Sequence, residues 1–121
     1  MPHLTLEYTS NLPAFDAPKV LAALNQAMVD LNLYGEPDIK SRALRLDHFQ
    51  AGIAPTPRAF VHLKAAILSG RSADERKQTA EALLSVLNAT VDAPFLGEIQ
   101  ISVETIEIDR PSYAKAIIHG D

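Results

Sequence analysis

Residues 2 to 9 alternate, with Leu4, Leu6 and Tyr8 on one side and His3, Thr5 and Glu7 on the other, which is the twofold period of a half-buried strand. After an Asn11-Leu12-Pro13 turn, Asp16 is placed to cap a helix that has Pro18 in its first turn. Val20, Leu21, Leu24, Ala27, Met28 and Leu31 then recur at helical spacing as one apolar stripe, and Gly35 and Pro37 are expected to stop it. From about Ile39 to Phe49 alternation returns, with Leu44 and Leu46 opposite Arg45 and Asp47. That completes one β-α-β unit.

The second half repeats the plan. Beyond a Gly52 to Pro57 loop, the run from Ala59 to Leu68 reads as a strand apolar on much of both faces, expected at the centre of a sheet. Gly70-Arg71-Ser72 turns into a helix with a capping box, in which Ser72 accepts from the amide of Glu75 and Glu75 reaches back. Ala80, Leu83, Leu84 and Leu87 are its predicted buried stripe. Pro94 and Gly97 precede a last strand whose apolar parity changes from Ile99, Ile101 and Val103 to Ile106 and Ile108, which predicts a bulge near Glu104 to Ile106. Pro111 ends it, leaving Ser112 to Asp121 as a tail placed to cross to another subunit.

Two β-α-β units with right-handed crossovers define an α/β (α+β) fold, a four-stranded mixed sheet with two helices on one face. Two helices cannot cover both faces of such a sheet. The remaining face calls for a second copy of the chain, although a monomeric ferredoxin-like domain has the same order of elements.

At 121 residues and 47% hydrophobic content, one domain over residues 1–121 suffices. Charged residues make up 21%, and neither an apolar run of membrane length nor a basic leader is present, so a soluble, cytoplasmic protein without membrane attachment is expected. A net charge of -4 argues against nucleic acid as a partner. Without cysteine there is no disulfide, thiol catalysis or thiolate metal site. His3, His48, His62 and His119 lack ligand spacing, so no metal is expected. No phosphate loop or serine elbow occurs, and no cofactor is implied.

Candidate chemistry lies at the chain start. Removal of Met1 exposes Pro2 as a secondary amine on a rigid ring at a strand end. An ordinary α-amino group has a pKa of about 8, so modest desolvation or a nearby cation makes it a usable base at neutral pH. With Met1 retained, the same nitrogen is an amide and no base at all. Arg71 leaves from a helix N-terminus, where amides and the dipole favour an anion; an ordinary surface arginine is the competing reading. Lys40 and Arg42 share one face of a strand and either extend that anion site or are solvated. His62 is read as a hydrogen-bonded core residue or a pocket wall. Glu104, Glu107 and Asp109 are read as a solvated strand face, and Tyr113 as a packing residue of the tail or a visitor to a neighbouring site.

The opening Met1-Pro2-His3-Leu4, the segment Ile39-Lys40-Ser41-Arg42, the run Ala59-Phe60-Val61-His62-Leu63 and the turn Gly70-Arg71-Ser72 with Glu75-Arg76 together resemble the 5-carboxymethyl-2-hydroxymuconate isomerase family of the tautomerase superfamily. The resemblance covers nearly the whole chain. It implies a homotrimer, a cofactor-independent isomerase with catalytic Pro2 and Arg71, and a small acidic substrate whose carboxylates are held by Arg42 and Lys40. Family chemistry is the delta-isomerisation of 5-carboxymethyl-2-hydroxymuconate in the homoprotocatechuate route of aromatic-compound degradation. Where the family pattern leads one to expect arginine, this chain has Lys40, which keeps the charge but loses the bidentate fork. A tautomerase for another acidic enol, or a non-catalytic trimeric binding protein that retains Met1, are the alternatives.

Overall fold

The computed structural model describes residues 1–91 and 94–120. Strand β1 spans His3–Thr9, helix α1 Ala17–Asp30, β2 Lys40–Leu46, β3 Arg58–Leu68, α2 Ala73–Thr90 and β4 Glu98–Ile108. Short 3-10 turns at Glu36–Asp38 and Arg110–Ser112 lead into β2 and out of β4.

The four strands form one mixed sheet in the order β2-β1-β3-β4. β1 runs parallel to β2 and antiparallel to β3, and β3 runs parallel to β4. β1 and β3 are therefore central, as expected of β3 alone, and the two β-α-β units join along them.

Register explains the core. Leu4 lies opposite Ala65 and Leu6 opposite Leu63, so these residues share a face, and Val20, Leu24 and Met28 of α1 with Leu83 and Leu87 of α2 complete the buried cluster above it. Leu4, Leu6, Leu24, Leu63, Leu83 and Leu87 are fully enclosed; each contributes on the order of 1.5–3 kcal/mol by leaving water. Asp16 caps α1 by accepting from the Lys19 amide, and Ser72 with Glu75 closes the capping box of α2.

Four expectations change. First, α1 stops at Asp30, because Asn32 takes the left-handed conformation (φ 57°) that ends helices; Gly35, at φ -72°, plays no part in the stop.

Second, the buried stripe of α2 is Thr79, Leu83 and Leu87, while Leu84 is 37% exposed. A buried threonine hides that phase from a hydrophobic pattern. Its hydroxyl is satisfied by the Glu75 carbonyl at 2.9 Å and the Tyr34 hydroxyl at 2.8 Å.

Third, β4 has no bulge. Its pairing with β3 is unbroken from Arg58 opposite Glu98 to Leu68 opposite Ile108, so Ile106 and Ile108 lie on the face away from the helices. Glu107 lies on the helix side and bonds Arg76 of α2 at 2.5 Å. The change of parity is a change of environment.

Fourth, β3 is buried on one face only. The other carries Phe60, His62, Lys64 and Ala66, all with some exposure. His62 is accordingly no core residue: on this open face its ring bonds Ser102 Oγ at 2.6 Å and Glu104 at 2.5 Å. Glu104 and Glu107 are thus paired, not simply solvated. Leu44 (50% exposed) and Ile106 (40%) leave apolar surface on the same open face.

Candidate functional site

Pro2 is buried immediately before β1, and its carbonyl accepts from the Lys40 amide at 3.1 Å, which fixes it to the start of β2. Parallel pairing then sets His3 beside Lys40 and Thr5 beside Arg42. Because alternate residues share a face, Lys40 and Arg42 rise from the open side of the sheet next to His3. Arg42 donates to His3 Nδ1 at 3.1 Å. Arginine cannot accept, so Nδ1 is unprotonated and the ring carries its proton on Nε2, which faces the Tyr113 hydroxyl at 3.0 Å. Burial first, and then the charges of Arg42 and Lys40, hold the His3 pKa below its usual value.

Lys40 Nζ donates to the Asp38 carbonyl at 3.0 Å. The carboxylate of Asp38 takes Lys115 Nζ at 2.8 Å, a hydrogen bond that keeps the Asp38 pKa below the ordinary range. Lys115 also reaches Met1 Sδ at 3.3 Å. The tail therefore returns to the start of its own chain, with Tyr113 and Lys115 as its two points of attachment.

Arg71 approaches from the β3–α2 turn, after Gly70 in a positive-φ conformation (114°) that suits glycine. Its guanidinium donates to the Leu33 carbonyl, lies 4.9 Å from the centre of the Tyr34 ring and meets Glu75 at 3.5 Å. Glu75 thus serves the capping box and the arginine together; the Ser72 amide, and then Arg71, hold its pKa down.

The α-amino group of Met1 reports the electrostatics at this point. Its pKa is lowered, by burial first, with Lys40, Lys115 and Arg71 acting in the same direction against Asp38. Of the four residues read from the sequence, Pro2 and Lys40 are joined at the chain start, Arg42 is engaged one residue along on His3, and Arg71, held by Leu33, Tyr34 and Glu75, acts there through its charge. Asp38, Lys115, Tyr34 and Tyr113 complete the surroundings and were not placed there by the sequence. For Tyr113 the only signal was a lone aromatic in the tail after Pro111. In the chain as encoded Met1 precedes Pro2, whose nitrogen is then part of a peptide bond.

A cavity of about 250 Å³ lies at the other end of β1, lined by Tyr8, Ser10, Leu12, Pro13, Phe15 and Arg45. Tyr8 and Phe15 stack with ring centres 4.2 Å apart, and the one cation, Arg45, is paired with Asp47 at 3.4 Å. It brings no base to an acid substrate.

Comparison with known proteins places this geometry. No curated protein sequence matches. Among solved structures, a 5-carboxymethyl-2-hydroxymuconate isomerase from Deinococcus radiodurans R1 is 36% identical, with a TM-score of 0.88 over 95% of this chain and 88% of the other. A 5-carboxymethyl-2-hydroxymuconate delta-isomerase shares the fold at 19% identity, with a TM-score of 0.74 over 99% of this chain and 89% of the other. A fused 4-OT described as a symmetric trimer does so at 15% identity, with a TM-score of 0.74 over 94% of this chain and 91% of the other. The profile of the 5-carboxymethyl-2-hydroxymuconate isomerase family matches residues 2–121. With that match over nearly its whole length, the chain belongs to the 5-carboxymethyl-2-hydroxymuconate isomerase family and is an isomerase.

Proposed function

We propose that this chain is a 5-carboxymethyl-2-hydroxymuconate delta-isomerase in which Pro2, freed of Met1, is the general base. One observation carries the reading: at the chain start burial, with the charges of Lys40, Lys115 and Arg71, outweighs Asp38 and lowers the pKa of the terminal amine, which is that of Met1 in the unprocessed chain and of Pro2 once Met1 is gone. A neutral pyrrolidine nitrogen takes the enol or an allylic proton of the unsaturated 2-hydroxy acid. Arg71 and Arg42, with Lys40, hold its carboxylates and the charge of the dienolate, and the pyrrolidinium returns the proton to another carbon. Proton and charge balance within the cycle without a cofactor.

The lysine at position 40 binds a carboxylate as a point charge, so orientation falls to the arginines. Exposed Leu44 and Ile106 on the open sheet face support a homotrimer, the state described for the fused 4-OT neighbour. Among the described residues no helix is long and apolar enough to cross a membrane; a cytoplasmic place in homoprotocatechuate degradation accords with this substrate.

Steady-state isomerisation of the muconate substrate, followed by ultraviolet absorbance with the first residue identified by intact mass, tests the base. Pro2→Ala and a form retaining Met1 should each lose at least about a hundredfold in kcat. Wild-type rates in both would remove Pro2 from the mechanism. A second reading, a non-catalytic binding trimer, draws on Met1 itself, whose sulfur occupies Lys115 in the unprocessed chain.

A further inference from the structure

The tail leaves β4, at one edge of the sheet, yet its attachments are at the start of β1 and in the turn before β2, toward the opposite edge. Residues 114–120 are exposed overall, but the side chain of Lys115 is only 23% exposed. Tyr113 fixes its approach: besides the hydrogen bond to His3, the two rings meet edge to face at 6.2 Å. Asp38 then holds the ammonium at 2.8 Å. We propose that Lys115 is a substrate-binding residue, a cation carried by the tail to the chain start that takes a second carboxylate of a dicarboxylic substrate. The proposal rests on the acidic-substrate reading above.

Three observations favour it. Among the described residues the four cations Lys40, Arg42, Arg71 and Lys115 share Asp38 and Glu75 as carboxylate partners, leaving positive charge for an anion. Arg42, on His3, and Arg71, on the Leu33 carbonyl, Glu75 and the Tyr34 ring, each spend part of the fork within the protein, so a further cation completes the hold on a second carboxylate. Lys115 has three donors; one is spent on Asp38, and another faces Met1 Sδ, a weak acceptor that leaves when Met1 is removed. Processing that frees the Pro2 nitrogen therefore also frees a position on the Lys115 ammonium.

Calorimetric titration of the processed protein with cis,cis-muconate and with sorbate tests this, since both are six-carbon dienes and they carry two carboxylates and one. Lys115→Met should weaken muconate about tenfold and leave sorbate within about twofold, Lys115→Arg should keep most of the muconate affinity, and Lys19→Met on the exposed side of α1 should change neither. Equal muconate affinity in wild type and Lys115→Met, including no binding by either, overturns the proposal. An equal loss on both acids overturns it as well, because it assigns the tail a structural role. Pro2→Ala should alter turnover without altering muconate affinity, so a failed base assignment and a failed Lys115 assignment are read separately.

Discussion

β1 ends in two unlike places. At its finish, Tyr8 and Phe15 stack beside a cavity with one cation, already paired to Asp47. At its start stand a buried proline, three lysine or arginine charges acting on the α-amino group, and a histidine kept unprotonated on Nδ1 by an arginine. The hollow is at one end and the proposed chemistry at the other. A concave surface marks a site when one chain encloses its ligand; for a chain with one open sheet face, the arrangement of charge is the better guide, because much of it is set by strand register within a single copy.

The core beneath both ends offers the largest effect, and one that should not distinguish them. Leu83→Ala should destabilise the protein by about 2–5 kcal/mol, whereas Leu84→Ala, at a 37% exposed position, should stay under about 1 kcal/mol. Urea unfolding measures both. A reversed order would place the wrong face of α2 on the sheet and undo the site built from its N-terminus.

Next in size is a direct contest between the ends. Arg71→Ala should lower kcat/KM by about ten- to a hundredfold, and Arg45→Ala at the cavity end should leave it within about twofold. Arg71→Lys keeps the charge and loses the fork to Leu33 and Glu75, so an intermediate rate is expected. If Arg45→Ala does the greater damage, the cavity is the active site.

The smallest effect is a pH dependence. The His3 pKa is lowered in the folded protein, so below its ordinary value of about 6.5 the unfolded chain takes up the proton first. Stability contributed by neutral His3 is therefore present above that pH and is lost as pH falls toward the folded pKa. His3→Gln should flatten the melting temperature measured between roughly pH 7.5 and 5.5. An unchanged slope would separate His3 from Arg42 and Tyr113.

How far the sequence revealed this follows from the range of each signal. Alternation and helical spacing placed all four strands and both helices, because these depend on near neighbours. Asn32 was passed over as a helix stop because asparagine ends helices less often than glycine. The pattern takes Leu84 into the buried stripe and omits Thr79, because it cannot register a threonine whose hydroxyl is satisfied internally. Isoleucines at positions 106 and 108 implied a bulge only if apolar residues had to face the helices, and one face of the sheet is open. Of the site, Pro2, Arg42, Arg71 and Lys40 lie within or next to recognisable turns and strands. Lys115 meets Asp38 across 77 positions and Tyr113 meets His3 across 110, separations at which no local pattern speaks.

Glu75 gives the first turn of α2 an unusual genetic constraint. One carboxylate both closes the helix cap and holds the guanidinium assigned to the substrate, so selection for heat tolerance and selection for catalysis act on the same codon. Substituting Gln satisfies the cap but withdraws the countercharge, and substituting Asp shortens the reach of both contacts. An engineer seeking a hardier enzyme should therefore leave this turn alone and work at the start of α1, where Asp16 caps the helix without a second duty.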